Sequence, residues 1–219
     1  MRIKIIFFLL VGTYWLFGCG KVYNLSSEDR KWQIYKGGDL LIFESNQNLP
    51  IIVNVTSVEL KLMSSPEDWS LFPAKTETLY VNGNYSHETK KSMNGQLYNT
   101  SFTEIISIGK GENNKAYLYF KLDKISPNVL KTSTISLTIG EIESLPKKTY
   151  KQNEEFTVYK IPVEEQGKNL NEFKNNLEYF YYSKEYGYLK FVYNDGTNYQ
   201  LKKFIRNGNN IVNVPEINW

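Results

Sequence analysis

Alternating apolar and polar positions dominate the chain from Trp32 onward. Ile135, Leu137 and Ile139 alternate with polar residues, and Leu118 and Phe120 follow the same period of two. This period is typical of strands that place one face in a core and the other toward wetter surroundings. Further candidate strands cover residues 39–44, 102–108, 156–161, 177–182, 188–193 and 198–205.

One strand changes its apolar phase part of the way along. Odd-numbered positions are apolar up to Val55, whereas even-numbered positions are apolar from Val58 to Leu62. A strand that keeps one face in the core across this point must absorb an extra residue. We therefore predict a β-bulge or bend at Thr56 and Ser57.

Turn residues separate the candidate strands. Asn194-Asp195-Gly196 predicts a hairpin, and Gly187 predicts a turn position with positive φ. The only helical spacing, Leu170 to Leu177, is short and rich in Asn. We predict an all-β fold: an antiparallel meander forming a sandwich or half-open barrel, with at most one short helix, in one domain over 32–219. Within this predicted domain, the weakest connection between the candidate strands is at residues 144–153.

The amino terminus has the pattern of an export signal. Arg2 and Lys4 precede an apolar run of 13 residues from Ile5 to Phe17. A transmembrane helix needs about 20 apolar residues, so this run is too short to span a bilayer. Its length is typical of the apolar region of a secretory signal peptide, which predicts residues 1–18 as the signal.

The residues Leu16-Phe17-Gly18-Cys19 resemble the lipobox of bacterial lipoproteins. The resemblance implies that the Cys19 thiol is acylated with diacylglycerol, a lipidation of the palmitate type, and that the chain is cut so that Cys19 becomes its first residue. The polar segment that follows is then a lipidated tether over 19–31. The alternatives are an ordinary signal peptide with an incidental cysteine and a free thiol in a soluble protein.

Charge and composition narrow the possible functions. The 219 residues include 26 Lys and Arg, 23 Asp and Glu, one His and one Cys. Removal of residues 1–18 takes away Arg2 and Lys4 and leaves 24 basic against 23 acidic groups, a net charge of +1. We expect no nucleic-acid partner, because the basic residues do not cluster. With a single His and a single Cys, we expect no zinc site, no disulfide and no cofactor.

The carboxyl-terminal part is dense in aromatic residues, notably from Tyr179 to Phe191. Together with Gly37-Gly38-Asp39 and Asn198-Tyr199-Gln200-Leu201, this stretch resembles small uncharacterised lipoproteins of the bacterial cell envelope. The resemblance implies an envelope location, with the outer membrane expected, and a β-rich fold. It implies no reaction.

These aromatic residues allow two interpretations. The structural one is cross-strand packing of the rings in a hairpin. The functional one is an outward row of Tyr181, Tyr186, Tyr188 and Tyr193 that forms a platform for a sugar or an apolar ligand, since tyrosine combines a flat apolar face with a polar tip.

Signals for catalysis are weak. His87 is the only imidazole and lies in a stretch predicted to be a loop. A hydrolase could use paired carboxylates about 5–9.5 Å apart, with candidates Asp39, Glu59, Asp123 and Asp195. We expect a membrane-anchored envelope lipoprotein with a non-catalytic structural or binding role. The alternatives are a lipid- or glycan-binding carrier with an aromatic-lined cavity and a carboxylate-dependent hydrolase.

Overall fold

The computed structural model describes residues 20–48, 50–64, 73–87, 98–99, 103–121, 134–151, 154–163, 177–212 and 215–219. The strands in these ranges are β1 (Val22–Tyr23), β2 (Leu40–Ser45), β3 (Pro50–Ser64), β4 (Lys75–His87), β5 (Tyr98–Asn99), β6 (Thr103–Lys110), β7 (Ala116–Lys121), β8 (Thr134–Thr138), β9 (Lys147–Lys151), β10 (Glu155–Pro162), β11 (Leu177–Ser183), β12 (Gly187–Tyr193), β13 (Asn198–Arg206) and β14 (Asn209–Asn210). The helices there are α1 (Ser27–Arg30) and α2 (Ile139–Ser144).

One antiparallel sheet contains two meanders. Its main path runs β8-β7-β6-β4-β3-β2-β13-β12-β11-β10-β9, with the short strands β1, β5 and β14 paired at its sides. The first meander begins at β2 and the second ends at β13, and these two strands pair from Leu40↔Ile205 to Ser45↔Tyr199. β2, near the start of the described residues, therefore lies beside β13, the last long strand, in the middle of the sheet.

The two edge strands, β8 and β9, are consecutive in the chain. Only α2, Leu145 and Pro146 join them, and a six-residue helix with two extended residues spans less than about 20 Å. Laid flat, a path of eleven strands would separate its edges by about 48 Å. The sheet must therefore curl until its edges approach each other, with α2 across the gap and Ile142 fully buried beneath it.

Aromatic rings fill the space inside this curl. Phe120 on β7 lies with its ring centroid 5.1 Å from Phe180 and 5.1 Å from Tyr182, both on β11, and 5.8 Å from Tyr188 on β12. All four side chains are fully buried. Strands from opposite halves of the sheet thus share one core, as expected for a sheet folded onto itself. The all-β antiparallel meander is confirmed, and the sheet is not closed.

The predicted irregularity in β3 is confirmed. Val55 pairs with Gly83 and Ser57 with Asn82, so Thr56 is the extra residue of a β-bulge. The Thr56 hydroxyl donates a hydrogen bond to the Asn82 carbonyl across the strands at 3.2 Å. Because of the bulge, Val55 and Val58 both face the core although they are three positions apart.

The predicted hairpin at Asn194-Asp195-Gly196 is also confirmed. It joins β12 to β13, and Tyr193 N–H donates to the Thr197 carbonyl at 2.9 Å. Gly196 has φ +81° and Gly187, at the start of β12, has φ +71°. Both values lie in the left-handed region that glycine adopts without a steric penalty.

Three local predictions differ from the structure. Ile139 begins α2 instead of continuing β8, because Thr138 and Glu141 form a capping box that starts a helix there. With α1, the described ranges hold two short helices, one more than expected. His87 ends strand β4 and does not lie in a loop. The predicted helical turn at 170–176 lies outside the described residues.

Gly187→Ala is expected to destabilise the fold strongly. A Cβ on Gly187 would lie 2.0 Å from the Tyr35 hydroxyl oxygen, and that hydroxyl accepts the Tyr188 N–H at 2.8 Å. Backbone strain together with a buried N–H left without its acceptor should lower the free energy of unfolding by about 3–4 kcal/mol. Urea denaturation measures this.

Gly196→Ala is the matched control. Gly196 also has positive φ, but a Cβ added there would have nothing within 4 Å of it. Only the backbone strain remains, so the loss should be about 1–2 kcal/mol. Equal losses for the two substitutions would contradict the role assigned to Tyr35.

Candidate functional site

The described chain begins one residue after the predicted lipid-attachment site, Cys19, which itself lies outside the described residues. The predicted tether is largely folded. Val22 and Tyr23 pair in parallel with Lys75 and Thr76 of β4, and Leu25 is buried. The segment predicted as a tether over 19–31 therefore packs on the sheet from Val22 onward.

Charged hydrogen bonds attach this segment to β4 and β6. The Glu77 carboxylate on β4 accepts the Leu25 N–H at 2.7 Å and an Arg30 guanidinium N–H at 2.5 Å. Lys110, the last residue of β6, donates to Asp29 at 2.7 Å. Glu77 is buried, so these partners replace the water that its charge would otherwise require. The sequence offers no signal for these long-range pairs.

Aromatic residues then insert into the open end of the curled sheet. Trp32 and Tyr35 are both buried. The Tyr182 hydroxyl donates to the Trp32 carbonyl, and the Tyr35 hydroxyl accepts the Tyr188 N–H. The Trp32 ring also packs against Tyr159, with centroids 5.5 Å apart. Residues 32–35 thus form a plug between β10, β11 and β12.

A buried ion pair ends this segment. Asp39, only 1% exposed, accepts hydrogen bonds from the Arg206 guanidinium at 2.8 Å (Nε) and 2.6 Å (Nη2). It also accepts the Lys36 N–H at 2.7 Å. Arg206 donates in addition to the Ile34 carbonyl at 2.9 Å, and its bonds to Asp39 raise the pKa of the guanidinium. The pair therefore ties the plug to the end of β13.

The predicted outward row of tyrosines is wrong for three of its four members. Tyr181, Tyr188 and Tyr193 are buried, and only Tyr186 is partly exposed, with its ring 5.0 Å from Phe156. Tyr188 faces the interior and donates to the Ile105 carbonyl at 3.3 Å. Tyr193 packs against Tyr199, with centroids 6.0 Å apart. This placement matches the structural interpretation, in which the rings pack across strands.

The carboxyl terminus covers the outer face of these strands. The Pro215 carbonyl accepts a hydrogen bond from Gln200 on β13, and the Ile217 carbonyl accepts one from Lys190 on β12. Trp219 stacks on Tyr181 of β11, with centroids 5.5 Å apart. Residues 215–219 thus cross the strands, which explains why consecutive residues of β11 are buried on both faces. No alternating pattern in this terminal stretch predicts the contact.

The candidate carboxylates serve separate local contacts. Asp39 pairs with Arg206, and Glu59 pairs with Lys61 at 2.8 Å. Asp195 accepts the Thr197 N–H at 2.9 Å in the β12–β13 turn. That turn contacts Asn46, just past the far end of β2 from Asp39, so Asp39 and Asp195 lie about 20 Å apart, beyond the spacing that paired glycosidase carboxylates use. Asp123 lies outside the described residues.

Two further features bear on metals and membranes. Within the ranges given above, no cluster of three or more His, Cys, Asp or Glu side chains could hold a metal ion. None of the helices in those ranges has the length and apolar character needed to cross a bilayer.

Arg206→Met is expected to destabilise the protein. It leaves the Asp39 carboxylate buried without its cation, which should lower the free energy of unfolding by about 3–5 kcal/mol. The matched control is Lys61→Met, which breaks the solvent-exposed pair with Glu59 and should leave unfolding unchanged within measurement error. A similar effect of the two substitutions in urea denaturation would contradict this assignment.

Alkaline pH should destabilise the fold through its buried phenols. Burial raises the pKa of Tyr35 and of Tyr182. Below the ordinary tyrosine pKa of about 10, both are protonated in either state; above it the unfolded chain releases protons that the folded chain retains. Each group should therefore lower the free energy of unfolding by about 1.4 kcal/mol per pH unit above that value. Urea denaturation at several pH values tests this, and Tyr182→Phe should reduce the slope.

Comparison of the chain with protein-family models, with curated proteins and with solved structures found no match in any of the three. The function proposed below therefore rests on the residues of this chain and their contacts.

Proposed function

We propose that the protein is a lipid-anchored lipoprotein of the bacterial cell envelope, with a non-catalytic structural or binding role. The observation that carries the proposal is the amino-terminal pattern: a basic start, a 13-residue apolar run and Leu16-Phe17-Gly18-Cys19, which contains the only cysteine of the chain. Two or more acyl chains on Cys19 would hold the domain at a membrane, since each buried CH₂ contributes about 0.8 kcal/mol.

The position of this pattern relative to the fold supports the proposal. The first paired residue of the described sheet is Val22, three positions after Cys19. Cleavage before Cys19 would therefore leave every strand of that sheet intact. The anchor and the domain would be joined directly, through only Gly20 and Lys21.

The contacts of the buried charged groups support a non-catalytic role. Among the described residues, the buried carboxylates are Asp39 and Glu77. Each accepts hydrogen bonds from an arginine and from a backbone N–H of the amino-terminal segment. Each tyrosine of the candidate ligand platform packs against another ring of the fold: Tyr181 on Trp219, Tyr186 on Phe156, Tyr188 on Tyr182 and Tyr193 on Tyr199. Both groups therefore act in holding the fold together.

Mass spectrometry of the protein purified from bacterial membranes tests the anchor. We expect a mature chain that begins at Cys19 and carries the added mass of a diacylglycerol group. Cys19→Ala removes the only thiol and should abolish this added mass and the partition of the mature chain into detergent.

Cys19→Ala combined with Gln47→Cys is the matched control, because it returns one thiol to the chain at an exposed position in the β2–β3 turn. A general reaction of thiols would restore the lipid mass in this variant, whereas lipobox processing would not. A wild-type chain without lipid mass, or an acylated Cys19→Ala chain, would refute the proposal.

A further inference from the structure

Exposed apolar side chains gather on one part of the sheet. Among the described residues, six large apolar side chains are strongly exposed, and four of these lie on β1 and on the second half of β3. We call these four the ribbon patch; they are between 45% and 58% exposed: Val22, Leu60, Leu62 and Met63. Of the other two, Trp219 is stacked on Tyr181, which leaves Ile211 by itself.

The ribbon patch lies where β3 and β4 extend past their neighbours. β2 pairs with β3 only as far as Asn54, and β6 pairs with β4 only as far as Thr78. Beyond these points the two strands continue as a ribbon to Ser64 and Lys75, with β1 alone beside β4 among the described strands. This end of the molecule therefore projects from the curled body of the sheet.

Strand register places apolar groups on both faces of the ribbon. Ser64 is opposite Lys75, which is opposite Val22, so Val22 shares a face with Leu60 and Leu62. Met63 is opposite Thr76, which is opposite Tyr23, so these residues share the other face. The Met63 face also carries the charged pair Glu59–Lys61, so the face with Val22, Leu60 and Leu62 is the more apolar one, and its exposed side chains are suited to an apolar medium.

The proposed lipid anchor lies within reach of this patch. Three chain steps separate Cys19 from Val22, and an extended chain covers at most about 11 Å in that distance. The acyl chains on Cys19 would be in the hydrocarbon of the bilayer. Val22, and with it the end of the ribbon, must then lie at the surface of the same bilayer.

Charge at the ribbon fits a membrane surface. Lys21 and Lys75 are adjacent, since Lys75 N–H donates to the Lys21 carbonyl at 2.9 Å, and the Lys21 ammonium lies 4.8 Å from the Tyr23 ring centroid. Among the described residues of the ribbon, Glu59 pairs with Lys61 and Glu77 pairs with Arg30. Lys21 beside the Tyr23 ring and Lys75 opposite the exposed Val22 match the interface of a bilayer with anionic lipids.

We propose that the ribbon patch contacts the bilayer that holds the Cys19 lipid and thereby sets the orientation of the domain. The partner is a lipid surface with anionic headgroups. The β2–β3 and β12–β13 turns, at the other end of β3, would then be held about 45 Å from the membrane. This inference rests on the lipid anchor proposed above.

Fluorescence quenching by lipids tests the contact. The acylated protein, purified from membranes, carries a single added cysteine at Leu62→Cys, labelled with a polarity-sensitive fluorophore, and is reconstituted in vesicles of phosphatidylcholine and phosphatidylglycerol. Lipids with a spin label on the acyl chain act as quenchers. The matched control is Gln47→Cys, exposed at the opposite end of β3. We expect about threefold or greater quenching at position 62 relative to position 47.

Equal quenching at the two positions would overturn the ribbon contact. A label at position 62 that is shielded from water but not quenched by lipids would also overturn it, since a second copy of the chain or another protein would then cover the patch. The mass of each sample separates the two proposals. With the lipid mass present and no quenching, only the ribbon contact fails; with the lipid mass absent, the anchor fails and the ribbon contact fails with it.

Discussion

The pairing of β2 with β13 is the constraint on which the rest of the structure depends. It brings together two strands that are far apart in the chain, one from each meander, and places the other end strands of the meanders, β8 and β9, at opposite edges of one sheet. Because only α2 and two further residues join these edges, the sheet has to curl. The curl brings Phe120 onto Phe180, Tyr182 and Tyr188, and so creates the core.

Residues 32–35 and residues 215–219 both pack against this open sheet, but on different sides of it. Residues 32–35 lie in the interior. The carboxylates of Asp39 and Glu77 are also buried, and because they are removed from water they need hydrogen-bonding partners. Asp39 has Arg206 and Glu77 has Arg30, and each carboxylate also accepts a backbone N–H. The carboxyl terminus remains outside and covers β11 to β13, mainly through its backbone carbonyls and Trp219. Residues 32–35 and 215–219 therefore bury apolar surface that the sheet alone would leave exposed.

This arrangement has a consequence for the proposed role at a membrane. A long flexible tether would leave the domain free to rotate, whereas a segment that is paired from Val22 onward would hold the domain close to the proposed anchor. With the ribbon at the bilayer, the turns at 46–48 and 194–197 would face away from it. That end is polar and exposed, and it is the part of the surface that a soluble partner would meet first.

Local features were predictable where one short stretch contains the whole cause. The change of apolar phase around Thr56 predicts the bulge, because a strand can keep the same face in the core across such a change only if it contains an extra residue. Asn194-Asp195-Gly196 and Gly187 predict their turns from the backbone freedom of glycine. The all-β class follows from many such alternations. The apolar alternation continues through Ile139 and therefore predicts a strand there. Thr138 and Glu141 have capping-box spacing, and they start α2 at Ile139 instead.

The tyrosine row and the tether show where prediction from the sequence ends. Alternation tells which residues share a face of a strand, but not what covers that face. Trp219 covers Tyr181, and Phe120 from the other half of the sheet packs on Tyr188. A short polar segment is typical of a tether. Only the folded structure shows that Glu77 and Lys110, which are far away in the chain, supply hydrogen-bond partners for this one. The sequence by itself determined the strands, the turns and the signal-like amino terminus, since these depend on neighbouring residues. The tertiary structure alone decided the pairing of β2 with β13, the burial of Trp32 and Tyr35 and the packing of residues 215–219 on β11 to β13, because those contacts join residues that are far apart in the chain.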